Sequence, residues 1–311
     1  MNPILAVSQI MLDSPILPNQ SKSSPAKLIF LADTQAPMWI EKAYLQYNDN
    51  EKATALLFSK ILEEQNVSAV IHGGDLTSFG SSQRSWSRIR PFLDSLHARS
   101  IPFLAVKGNH DYFFAASAAM RNFKKYVPES SNDYSARAFG PVVVILLNSN
   151  FLQLQESSIS RQKAWYASTM DDYEKESVVR FIITVDHHPP FTNGEIVSWS
   201  EEVRRDFLPP FFNSPKSVVF IAGHAHRFEH FRKRGKEFLV IGGGGGLLHG
   251  SRRNPVEHDL YEGAVGGKFF HYLRCSASSN SLLFEVVKVS PNSTQTEIVH
   301  RFTLLPPRPL K

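Results

Sequence analysis

The chain has 311 residues, 42% of them hydrophobic, with a formal net charge of +5 and one cysteine. That is enough for one large domain, while the longest apolar runs fall well short of the roughly 18 residues that a membrane span requires, so no span is expected. Lys and Arg are scattered rather than gathered in one block, which biases the chain mildly towards anionic partners and disfavours nucleic acid; the lone Cys275 rules out an internal disulfide and suits a reducing, cytoplasmic setting.

Residues 1–26 open with MNPILAVSQIMLDSPIL, which lacks the basic start of a secretory signal, and continue into a Pro, Asn and Ser-rich stretch expected to be a flexible N-terminal lead-in. The apolar run Leu28 to Ala32 makes a first strand, starting near Lys27 and ending at Asp33-Thr34-Gln35. From Glu51 to Glu64, apolar residues at Leu56, Leu57, Phe58, Ile61 and Leu62 follow a helical period, as a crossover to a parallel strand needs. That strand, Ala69 to His72, ends at Gly73-Gly74-Asp75. A second helix spans Gln83 to Ala98, where Pro91 predicts a break or kink.

A third strand at Leu104 runs into Gly108-Asn109-His110-Asp111, followed by a loop-rich insert from Phe113 to Gly140. Val142 to Leu147 is the strongest apolar run and reads as a buried strand closed by Asn148-Ser149-Asn150. A helix over Ser160 to Tyr173 leads to the strand Phe181 to Val185 and the turn His187-His188-Pro189-Pro190; Val218 to Ala222 leads likewise to Gly223-His224-Ala225-His226. The basic stretch Arg227 to Lys236 reads as a solvated hairpin in preference to a nucleic-acid surface. Gly242 to Gly246 lacks the spacing of a dinucleotide fingerprint and is expected to form a flexible turn at the rim of the site.

From about 268 to 305 the pattern changes to strands, Phe269 to Arg274, Leu282 to Val289 and Thr296 to Leu304, which suit an antiparallel cover on a sheet edge. The expected fold is α/β, a two-sheet β-sandwich flanked by helices, with residues 27–311 as a single domain. His72 and His97 read as packing or surface histidines, and Trp86 and Trp165 as core. Phe191, Thr192 and Asn193, and the loop Tyr112 to Phe114, either line a substrate pocket or pack its rim.

Five strand ends thus carry Asp, Asn, Gln or His, the hard and borderline donors that hold divalent metals in layered α/β folds. In this order the motifs Asp33-x-Gln35, Gly74-Asp75, Gly108-Asn109-His110-Asp111, His187 and Gly223-His224-x-His226 resemble those of the calcineurin-like metallophosphoesterases. The resemblance implies an αββα fold and two divalent metal ions bridged by Asp75. Asp33, Gln35 and His226 would complete one ion; Asn109, His187 and His224 would complete the other, with His188 a neighbour. It further implies hydrolysis of a small phosphorylated substrate (a monoester, a diester or a nucleotide diphosphate) by metal-bound hydroxide, with His110 protonating the leaving group and Asp111 orienting His110.

Gln35 departs from the common pattern, which has His there. A neutral amide oxygen favours Mn2+, with Mg2+ or Fe2+ next, over Zn2+. Asp75 is followed by Leu76-Thr77-Ser78, without the Tyr of the purple enzymes, so a non-purple branch is expected. The rival expectation is a catalytically weak phosphate- or nucleotide-binding pseudoenzyme whose Gln35 site has lost its metal.

Overall fold

The computed structural model describes residues 24–44, 49–263 and 266–307. In chain order the elements are β1 (Ala26–Leu31), α1 (Trp39–Tyr44), α2 (Asn50–Glu63), β2 (Ala69–His72), α3 (Gln83–Ala98), β3 (Phe103–Ala105), α4 (Ala116–Tyr126), β4 (Ser135–Phe139), β5 (Val142–Leu146) and α5 (Glu156–Lys175). They continue with β6 (Phe181–Val185), α6 (Glu201–Asp206), α7 (Leu208–Asn213), β7 (Ser217–Ala222), β8 (Phe228–Lys233), β9 (Lys236–Ile241), β10 (Phe270–Ala277), β11 (Leu282–Val289) and β12 (Glu297–Leu304).

Two six-stranded sheets result, ordered β12-β11-β10-β1-β2-β3 and β4-β5-β6-β7-β9-β8. Strands joined by helical crossovers pair in parallel: β1 with β2, β2 with β3, β5 with β6 and β6 with β7. The tail strands β10, β11 and β12 add antiparallel beside β1, as their alternation and Ser-Asn turns predict. Each central strand is apolar on both faces because each face has something to cover. Leu28 and Phe30 meet Val142, Val144 and Ile183 between the sheets. Ile29 and Leu31 lie under Leu57, Ile61, Trp86 and Phe92 of α2 and α3, while Val143 and Ile145 lie under Tyr166, Met170 and Phe207 on the other side. The α/β two-sheet sandwich flanked by helices is therefore the observed fold.

Several local expectations change. Pro91 does not break α3: it lies on the solvent face, where the carbonyl freed by its missing N–H can reach water. Helix α5 starts at Glu156, ahead of the expected Ser160, and β10 runs on to Ala277. Most of the N-terminal lead-in lies outside the described residues, and Ala26 already belongs to β1.

The basic stretch is a hairpin, β8 to β9, turning through left-handed Arg234 and Gly235. Only part of it is solvated, because Phe228 to Phe231 are buried. Three of its charges are paired with carboxylates: Arg227 with Glu229 at 3.0 Å, Arg232 with Glu237 at 2.8 Å, and Lys233 with Glu257.

Candidate metal centre

The strands end at one rim, and the chain turns sharply there. Asp33, Asp75 and His224, each just past a strand, have φ of 60°, 58° and 66°, a left-handed backbone that non-glycine residues adopt only when their surroundings hold them. Here the surroundings are one another. Asp33 N–H donates to Gly74 O (3.0 Å), Gln35 N–H to Asp75 O (3.2 Å), and His224 N–H to the Asp33 carboxylate (3.0 Å).

These turns gather the side chains into two groups. Ligand atoms of Asp33, Asp75 and His226 lie within 4.8 Å of one another, as do ring nitrogens of His187, His188 and His224. Gln35 Nε2 joins the first group, 3.2 Å from Asp75 Oδ2 and 3.1 Å from His226 Nε2. Asn109 Oδ1 joins the second, 3.1 Å from His187 Nε2. Asp75 stands between them: Oδ2 is 3.4 Å from His187 Nε2, while Oδ1 accepts from His110 N–H at 2.8 Å.

The donor set fits divalent cations. His187 Nδ1 donates to Gly73 O (2.9 Å) and His226 Nδ1 to Leu247 O (2.8 Å), which turns both Nε2 atoms inward to take a cation or a proton. His187 Nε2 then confronts two acceptors, Asn109 Oδ1 and Asp75 Oδ2, an arrangement that needs a cation or a proton among them. Gln35 Oε1 is buried without a hydrogen-bond partner, and half a turn of the amide would bring it to the Asp75 and His226 side as an oxygen donor.

The electrostatics agree. Burial opposes the charge on Asp75, but His187 and His110 outweigh it and hold the carboxyl well below its ordinary range. Burial likewise opposes a charged His187, yet Asp75 and Asp33 raise it to about 10. His224 is pushed well below its usual value by burial and then by His188 and His187. Carboxylates and imidazoles together make a buried pocket that draws positive charge.

Asp111 departs from expectation. The buried Asp111 carboxylate accepts from the backbone N–H groups of Gly108 (2.9 Å), Asp75 (3.0 Å), Leu76 (3.1 Å) and Thr77 (3.2 Å), so it ties the Asp75 turn to the Asn109 turn and does not orient His110. Its pKa is raised to about 7 by burial and then by the charge on Asp75. The group that orients His110 is the Ser78 carbonyl, 3.2 Å from Nδ1, which leaves Nε2 turned towards Asp75 at 3.9 Å.

The five-glycine run is not a loose turn. Gly244 and Gly246 donate to Ala32 O and Asp33 O, both at 2.9 Å, and Asn50 Nδ2 donates to Gly245 O and Gly246 O. A Cβ on Gly244 would stand 2.2 Å from Ala32 O, and one on Gly246 would stand 2.5 Å from the His226 ring. Glycine is required because backbone must pass against backbone under the candidate ligands Asp33 and His226.

Sequence reasoning missed Asn148, Ser149 and Asn150, which form a polar net behind the site. Asn150 Nδ2 donates to Lys107 O (2.6 Å), Asn148 Nδ2 to Tyr112 OH (2.8 Å), and Ser149 Oγ contacts His188 Nδ1 (2.9 Å). Three polar residues closing the most apolar strand were the available signal. His249, also missed, stacks on His226 at 4.4 Å.

The blander expectations hold. His72 is buried against Thr34, His97 is exposed, Trp86 is core and Trp165 packs on Tyr134. Thr192 and Asn193 pack, both bonded to Glu229, and Phe191 packs on Phe238. Phe113 lies 4.4 Å from the His110 ring, and Phe114 is 84% exposed.

Comparison with known proteins agrees with this geometry. Among solved structures, the chain superposes on the purple acid phosphatase PPD1 from yellow lupin (Lupinus luteus) seeds with a TM-score of 0.64, 16% identity and coverage of 91% of this chain and 54% of that one. It therefore spans about half the length of the lupin protein. It superposes on GAP50, the anchor in the inner membrane complex of Plasmodium, with a TM-score of 0.65, 14% identity and coverage of 91% and 90%. A dimetal phosphatase from Danio rerio gives 0.58, 13%, 88% and 99%. At these identities the likeness is one of fold. No curated protein matches the sequence significantly. The family model for calcineurin-like phosphoesterases matches residues 26–228, from β1 through the turn that carries His224 and His226, and the chain belongs to that family.

Proposed function

We propose that the chain is a dinuclear metal-dependent phosphoesterase that hydrolyses a phosphate monoester, a diester or a nucleotide diphosphate, and that residues 27–311 work as one unit in the cytoplasm. The observation that carries this reading is the convergence of His187 Nε2, Asn109 Oδ1 and Asp75 Oδ2 on one point, an arrangement that a cation or a proton among them satisfies. Asp33, Gln35, Asp75 and His226 would hold one ion, and Asp75, Asn109, His187 and His224 the other. Bound divalent ions supply Lewis acidity and an activated water. Mn2+ is favoured because Gln35 offers a neutral amide oxygen where imidazole would suit Zn2+ better; Mg2+ and Fe2+ share that preference for oxygen.

The chain's own groups do the rest. His110, fixed through Nδ1 by Ser78 O, presents Nε2 to the site and would deliver a proton to the departing oxygen. Asp111 keeps Asp75 and Asn109 in register. Phe113, against His110, and the exposed Phe114 place apolar surface where the leaving group would emerge.

A specific observation favours a second reading, a phosphate- or nucleotide-binding protein with little turnover. Gln35 Nε2 lies within hydrogen-bond distance of Asp75 Oδ2 and His226 Nε2, so its amide can fill the first site without an ion. GAP50, which shares the fold, is described as an anchor. Titration of metal-stripped protein with Mn2+ separates the two readings. Two ions per chain support the dinuclear enzyme; none, or one that leaves the Asp33 group empty, supports the binding protein.

A further inference from the structure

We infer that His188 is a hydrogen-bond donor to a phosphoryl oxygen of the substrate, and not a metal ligand, because Ser149 fixes which of its ring nitrogens carries the proton. The inference rests on the phosphoesterase reading above.

One hydroxyl decides where the His188 proton sits. Ser149 Oγ, buried behind the site, accepts from His187 N–H at 3.2 Å and from His188 N–H at 3.0 Å. A hydroxyl has two acceptor positions and one hydrogen, so both acceptor positions are taken. Its remaining contact is His188 Nδ1 at 2.9 Å, to which it must donate. Nδ1 is therefore the acceptor of the neutral ring, and the proton is on Nε2. His187 and His226 have the opposite arrangement, with Nδ1 donating to a carbonyl and Nε2 facing the Asp75 and Asp33 carboxylates. Ring orientation thus separates His187 and His226 from His188, although His188 adjoins His187 in sequence and shares its cluster.

Position completes the case. The half-buried His188 ring lies 4.6 Å from the His224 ring and 4.9 Å from the His187 ring, centroid to centroid. The ring is only half-buried, and Nε2 is not among the buried atoms that lack a partner. A protonated ring nitrogen cannot coordinate a cation. Beside two metal-ligating imidazoles, what it can bind is an anionic oxygen brought in by the substrate. Its contact is charge-assisted and would strengthen as charge builds on phosphorus.

The test uses full-length wild type, His188→Ala and His188→Gln. For each, Mn2+ binding is measured by calorimetric titration and inorganic phosphate binding by competition against a nitrophenyl ester or by direct titration. His188→Ala should weaken phosphate binding by about tenfold or more, as expected for one hydrogen bond to a charged group, with Mn2+ stoichiometry and affinity unchanged. His188→Gln, whose Nε2 reaches the same place as a donor, should restore most of the loss. Weaker Mn2+ binding in both variants would make His188 a ligand and overturn the inference. Unchanged phosphate binding in His188→Ala would overturn it as well. If wild type binds no Mn2+, the metal-centre reading fails separately, and phosphate binding by the metal-free chain still decides whether His188 is the donor.

Discussion

His187 Nε2 and Asn109 Oδ1 lie 3.1 Å apart, with the other ring nitrogen already committed to Gly73 O. Two residues 78 positions apart are held in a contact that a cation or a proton between them satisfies. Replacing Asn109 with Leu, similar in size but without the oxygen, should lower Mn2+ affinity at that site by about 100-fold or more while the metal-free Tm moves little. Calorimetric titration beside a thermal melt checks both.

Asp111 makes a different prediction, of stability. Its carboxylate satisfies four buried N–H groups of two turns, so Asp111→Ala should cost about 3 kcal/mol or more and loosen both turns together. Asp111→Asn, which keeps one acceptor oxygen, should cost less. Denaturant melts of the metal-free proteins give the order; equal stability of Asp111→Ala and wild type would remove Asp111 from this role.

At Gly244 an added methyl group would meet Ala32 O at 2.2 Å, and backbone cannot move aside as a flexible side chain can. Gly244→Ala should therefore destabilise by about 1–3 kcal/mol and reduce metal binding through Asp33, one residue beyond Ala32. Gly235→Ala, with nothing near its Cβ, is the control for strain in a left-handed turn alone.

Glu229 gives the pH dependence. Burial, only partly offset by Arg227, raises its pKa from 4.5 to about 7. A raised carboxyl binds its proton more tightly folded than unfolded, so its contribution is fully present below about 4.5 and is lost as pH rises through about 7. Wild-type stability should carry a downward slope with rising pH across that window, and Glu229→Gln should flatten it. Parallel pH profiles for the two proteins would contradict this.

Much of the fold and the site was legible in the sequence because each candidate ligand follows an apolar run, and strand ends in parallel sheets meet at one rim. What was not legible depends on distant partners. Asp111 adjoins His110 in the chain, but its hydrogen bonds run to residues more than 30 positions earlier as well as to Gly108. The state of His188 is set by Ser149, 39 residues away. Gly242 to Gly246 reads as flexible by composition and is packed because Ala32, Asp33 and His226 close on it. Pro91 reads as a helix breaker, and only the exposure of its face shows why α3 continues.

The central claim is tested most directly by steady-state hydrolysis of a nitrophenyl phosphate monoester and a bis-nitrophenyl diester by metal-stripped protein given Mn2+, with Asn109→Ala alongside. Turnover should appear with Mn2+, be lost to chelator and fall by at least about 100-fold in the variant. Turnover equal in wild type and Asn109→Ala would contradict it, as would no turnover of these esters or of a nucleotide diphosphate with any divalent metal while phosphate still binds.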